Sequence, residues 1–269
     1  MSKFGVRVLI GIIIPLLSLQ VNAQQLEVAP AKLSFTTNAG SSQTKQILVR
    51  NKGNAEQNFI FNVADWLTDE NGEIKYFDAG TISRSCADWI TISPPLVTLQ
   101  PNEATRINVT MLVPENENST KWAVMFVQSA VEQTGPTAID KEVKMGIKIS
   151  ARIAIPIYQS PNSNTLYKAT VEGLNETISE DNKRTYDTKV INLGDKILNC
   201  KMFFTVSNLA TAEEFTSEAI DFSLLPESSK VIKHTLDQTL PPGQYSIAAI
   251  LDYGYNDELE GVQMDIEVK

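Results

Sequence analysis

The chain has 269 residues, 42% of them apolar and 20% charged, with a formal net charge of −9. That length accommodates one large domain or two of about 100–150 residues, and an acidic chain without a basic block is a poor partner for nucleic acid. One histidine and two cysteines, with no CxxC pair, leave no metal-ligand cluster.

At the start, Lys3 and Arg7 make a positive segment before the apolar run Val8–Leu19, and Val21-Asn22-Ala23 has the small residues of a cleavage site. Residues 1–23 therefore read as a secretory signal peptide. The run is shorter than the ~20 residues of a membrane helix, and no later stretch is long and apolar enough. The mature chain is expected without an integral membrane segment.

From residue 24 onward almost every segment reads as strand. The first, 26–35, carries Pro30, which cannot donate a ladder hydrogen bond and so marks an edge or a kink. Strands follow at 46–51 and 58–66, then a turn at Asp69-Glu70-Asn71-Gly72, then strands at 89–93, 105–113 and 121–128. The segment 143–158, VKMGIKISARIAIPIY, places Met145, Ile147, Ile149, Ala151, Ile153, Ile155 and Ile157 at every second position. Lys144, Lys148, Ser150 and Arg152 fall between them. Side chains on a strand alternate between faces, so this is one strand with a continuous apolar edge. It is longer than the ~5–6 residues usual for a strand.

Residues 24–158 read as a first sandwich and 159–165, QSPNSNT, as a linker. A second domain, 166–269, repeats the pattern with strands at 166–174, 184–192, 199–208, 220–225, 230–236, 244–253 and 262–268. Tyr245 opens a strand just after Pro241-Pro242-Gly243, the placement of a tyrosine corner. The layout is all-β: two tandem immunoglobulin-like β-sandwich domains, meeting at an angle near 156–163.

Nothing in this pattern points to catalysis. His234, the only histidine, sits in a short strand and reads as a solvated side chain. Asp69 with Glu70, and Glu213 with Glu214, read as surface carboxylates, and Asp181, Asp195, Asp252 and Asp257 lack calcium-loop spacing. No catalytic residue, metal site or cofactor is assigned, and an all-β tandem layout favours a binding protein over an enzyme. Cys86 and Cys200 are expected as free thiols in different domains.

Three local patterns, in this order, resemble the PapD-like periplasmic chaperones of pilus assembly. Ser93-Pro94-Pro95-Leu96-Val97-Thr98-Leu99-Gln100-Pro101 looks like the family's Pro-Pro motif, with Asn102 where the family has glycine. Asn51 through Trp66 to Gly72 looks like its Asn-ended strand, apolar strand ending in Trp, and acidic turn. The strand 143–158 looks like its G1 strand. The resemblance implies donor-strand complementation, in which the chaperone lends G1 to an incomplete β-sandwich subunit. Met145, Ile147 and Ile149 then fall where the family's pocket-filling residues lie. The family also anchors the subunit's C-terminal carboxylate between its domains. Lys32 matches the arginine of that anchor, the lysine position falls on Ala154, and Arg152 shares the face of Ala154. Lys32 and Arg152 are therefore the expected cleft anchor.

Two functions follow as expectations. The first is a periplasmic chaperone-like protein that binds secreted β-rich subunits, with an outer-membrane usher as a further partner that the resemblance implies. The second is an envelope Ig-like scaffold or adhesion-related module without chaperone activity. A free apolar edge is adhesive, so self-association through the G1 edge is a corollary of the first.

Overall fold

The computed structural model describes residues 26–129, 152–236 and 239–269. The first sandwich has ten strands among them: β1 (Leu26–Ala29), β2 (Leu33–Phe35), β3 (Ser42–Asn51), β4 (Gln57–Thr68), β5 (Ile74–Phe77), β6 (Ile90–Ser93), β7 (Leu96–Leu99), β8 (Ala104–Leu112), β9 (Lys121–Ser129) and β10 (Arg152–Gln159). One sheet runs β1-β3-β8-β6 and the other β2-β10-β9-β4-β5, with β7 also on β4. The expected first strand is thus two. It breaks at Pro30, pairs with β3 before the break, and crosses to the opposite sheet as β2 after it. A short 3₁₀ turn, Ala87–Trp89, leads into β6.

Alternation explains each sheet's orientation. On β8, Ile107, Val109 and Met111 are buried while Arg106 and Asn108 are exposed. They share one core with Val49 of β3, Phe59 of β4, Met125 of β9 and Ile155 and Ile157 of β10. β9 breaks the alternation: Trp122 through Val127 are all buried. Its inner face, Ala123, Met125 and Val127, joins that core. Its outer face, Trp122, Val124 and Phe126, joins a second cluster with Trp66 and with Leu225 of the other sandwich. A strand covered on both faces reads as a continuous apolar run, as WAVMFV does.

The second sandwich stacks β11 (Ala169–Ile178), β12 (Arg184–Asn192) and β16 (Ser229–Thr235) on a sheet built from β13 (Leu198–Asn208), β14 (Glu214–Thr216), β15 (Ile220–Leu224), β17 (Gly243–Asp252) and β18 (Leu259–Val268). Tyr186, Met202, Phe204, Ile247 and Leu251 form its centre. The Tyr245 hydroxyl donates to the Pro241 carbonyl at 3.0 Å, the bond of a tyrosine corner. His234 is half-buried and stacks on the Phe204 ring at 5.1 Å, so it is more than a solvated surface group. Cys86 and Cys200 are free and lie in separate cores. Burial pushes the Cys200 thiol up to about 12 and the Cys86 thiol further. Both are therefore inert thiols at neutral pH.

Candidate functional site

The seam between the sandwiches is built on the outer face of β4, β9 and β10. The Trp122 indole N–H donates to the Trp66 carbonyl at 2.9 Å, and the Trp66 indole N–H donates to the Ala123 carbonyl at 3.1 Å. The two rings can be buried there because neither N–H is left unpaired. Tyr158 meets Trp66 edge-on at 6.2 Å. Leu225 and Ile197 cover this half of the face from the second sandwich.

Asp195 ties the seam together. Its place depends on Gly194, where an added Cβ would lie 2.5 Å from the Leu166 carbonyl, so only glycine fits. The Asp195 carboxylate accepts from Arg84, from Asn164 and from the Thr120 amide at 3.1 Å. Arg84 also donates to Glu227 at 2.5 Å and to the Thr120 carbonyl at 3.2 Å. Burial alone would pull the Arg84 pKa down; Glu227 and Asp195 more than offset it and hold the guanidinium above its ordinary value. A second tie comes from the β4–β5 turn. Glu70 accepts from Lys189 and from Ser229 at 3.0 Å, and its carbonyl accepts from the Val231 amide at 3.1 Å.

Beside this seam lies a cleft of about 460 Å³ lined by both sandwiches, including Lys32, Tyr158, Ser160, Tyr167, Lys196 and Ser223. Lys32 is exposed at its mouth. Lys196 donates to the Pro161 carbonyl at 3.1 Å and sits 5.9 Å from the Tyr167 ring. Burial lowers its pKa and Asp195 only partly restores it. Among the described residues neither lysine makes a salt bridge, and only Lys196 feels a nearby carboxylate, Asp195. A cleft with two such cations and several hydroxyls suits a carboxylate.

Arg152 is not in this cleft. It lies further out on the same sheet face, its guanidinium 3.4 Å from the centre of the Phe126 ring and 5.7 Å from that of Tyr76. There it lines a separate cavity of about 560 Å³. The structure therefore brings Lys32 together with Lys196, not with Arg152. Lys196 escaped sequence reasoning because its neighbourhood comes from long-range packing of the second sandwich. Ala154 faces the seam between them. Met145, Ile147 and Ile149 lie outside the described residues.

β10 itself is paired unequally. Its whole length, Arg152 to Gln159, is bonded to β9. On its other side β2 covers only Ile157, Tyr158 and Gln159. Among the described residues, nothing pairs with Arg152–Pro156 on that side. Ile153 and Ile155 point inward there, Arg152, Ala154 and Pro156 outward.

No family model matches the sequence, and no curated protein matches it. The fold is similar to a chain from a chaperone–tip adhesin complex of CFA/I fimbriae biogenesis, at 12% identity and TM-score 0.49, over 90% of this chain and 99% of that one. It is similar to the class 5 fimbriae chaperone CfaA at 12% identity and TM-score 0.48, over 91% and 99%. It is similar to the E. coli chaperone DraB at 14% identity and TM-score 0.43, over 90% and 98%. Among the described residues no helix is long and apolar enough to cross a membrane, and no group of three His, Cys, Asp or Glu could hold a metal.

Proposed function

We propose that this protein is an exported, periplasmic chaperone-like protein that holds secreted β-rich subunits, pilus-type subunits by class, at the edge of β10. The observation that carries this reading is the side of Arg152–Pro156 that is unpaired among the described residues. An open strand edge offers a row of backbone donors and acceptors to a second polypeptide. In sequence it continues directly from Met145, Ile147 and Ile149, whose alternation suits a row of apolar pockets in an incomplete sandwich. Each buried side chain would contribute about 1.5–3 kcal/mol on an area basis, less the cost of association. We further propose that Lys32 with Lys196, rather than with Arg152, receives the subunit's terminal carboxylate. The two lysines line one cleft, at the point where β2 begins and the open edge ends.

The test is co-expression of the mature chain with β-subunits encoded beside its gene. Replacing Ile147 and Ile149 with Asp should abolish co-purification, because the carboxylates would enter apolar pockets, and should leave the melting temperature nearly unchanged. If the double variant unfolds instead, those isoleucines are ordinary core and the envelope-scaffold reading takes over.

A further inference from the structure

Among the described residues, Arg152 lies on the open half of the outer sheet face without an ion pair. Arg152 is exposed, stacks on Phe126 and contacts Tyr76, and makes no ion pair among the described residues. Asp78 lines the same cavity without pairing with it. Tyr76 in turn meets Phe126 edge-on at 5.0 Å, so the guanidinium rests on a preformed aromatic floor. Stacking of this kind fixes the plane of a guanidinium while leaving its N–H groups free to donate. Arg152 also begins the described stretch of β10 whose second edge is unpaired among the described residues.

From this juxtaposition we propose that Arg152 reads the sequence of the strand that pairs with β10: it selects an Asp or Glu directly opposite it. The inference rests on the edge-pairing reading above and adds to it a partner chemistry. A strand laid along Arg152–Pro156 must place alternate side chains on the outer face beside Arg152, Ala154 and Pro156, and the others beside Ile153 and Ile155. The second set is apolar by the company it keeps. In the first set, only the residue beside Arg152 meets a charge. If the strand's terminal carboxylate reaches Lys32 and Lys196, the strand runs parallel to β10. The acidic residue then falls about four positions before its end, at ~3.3 Å per residue.

The test uses short synthetic peptides of alternating valine and threonine with a free terminal carboxylate. One glutamate is moved position by position, with glutamine as control. Binding is followed by fluorescence anisotropy against the full mature chain. One position, about four residues from the end, should bind about three- to fivefold tighter with glutamate than with glutamine, the size of one favourable cross-strand charge pair. In Arg152→Glu the preference at that position should pass to lysine, and in Arg152→Gln it should vanish. Equal binding at every position, no binding of any peptide, or a glutamate preference that survives both variants overturns the inference. If the preference is present but Ile147→Asp/Ile149→Asp still captures subunits, the donor-strand reading falls and this inference stands. If the double variant loses capture and no position prefers glutamate, this inference alone falls.

Discussion

The two ends of β10 are built from the same alternating pattern yet live in different surroundings. At Ile157–Gln159 the strand is bonded on both sides, to β9 and β2, and Ile157 and Gln159 are fully buried. At Arg152–Pro156 one side is open among the described residues, and the outward face carries Arg152 on Phe126. The sealed end belongs to the architecture of the seam, where Tyr158 packs on Trp66 and Gln159 exchanges hydrogen bonds with Thr37. The open end is bonded to β9 and buries Ile155 in the first core, but its other edge is unpaired among the described residues. A single strand is thus paired on both edges at one end and, among the described residues, on one edge at the other.

The largest effect that would break this contrast is on stability. Ile157→Ala removes a fully buried side chain from the first core and should cost about 2–5 kcal/mol. Arg152→Gln removes an exposed group and should stay within about 0.5 kcal/mol. Urea denaturation of both variants measures the pair. Similar losses at the two positions would mean that the Arg152 side chain is structural.

A smaller effect concerns how firmly the second sandwich seals the seam. The Glu70 carboxylate is held below its ordinary value of 4.5, first by the hydrogen bond from Lys189 and then by that from Ser229. A carboxylate lowered in the folded state stabilises above that ordinary value, and the contribution is lost as pH falls through the folded pKa. Glu70→Gln should therefore lower the melting temperature slightly at neutral pH and leave it unchanged at low pH, where Glu70 itself is protonated, so the acid side of the variant's profile is flatter. Because the pair is exposed, salt should shrink the difference. An identical acid limb in both proteins would remove Glu70 from the seam's pH response.

Much of this architecture was legible because it is periodic. The strand 184–192 has the expected bounds, and most others fall within a few residues of theirs. Alternation marks one buried face, and turn residues mark the ends. The strands that escaped are short or poorly covered. β5, Ile74–Phe77, is exposed at all four residues and too short for its alternation of Ile74 and Tyr76 to stand out. β14 spans three residues, and β7 follows Pro94-Pro95, which suggests a turn. A repeated corner was also hidden. Asn51 donates to the Ala55 and Leu99 carbonyls and accepts from the Gly53 amide. Asn192 does the same with Lys196, Leu224 and Gly194. Asn-x-Gly is too short a string to stand out at that separation. The site was less legible than the fold. Lys32 could be placed at the domain junction from a resemblance, but Lys196 and Asp195 reach it from the second sandwich through contacts that no local pattern encodes. Arg152 shares a face with Ala154, as its spacing requires, but two residues along a strand is about 6–7 Å, enough to carry it from the seam to the open half.

The most direct measurement is residue-resolved amide hydrogen exchange across β10, alone and with a captured subunit. In the free protein, the amides of Ile157–Gln159 should be protected throughout. Those of Arg152–Ile155 that point away from β9 should exchange rapidly, and should become protected only in the complex. Full protection of Arg152–Ile155 in the free protein, or no change on binding, would contradict an edge held open for a partner strand.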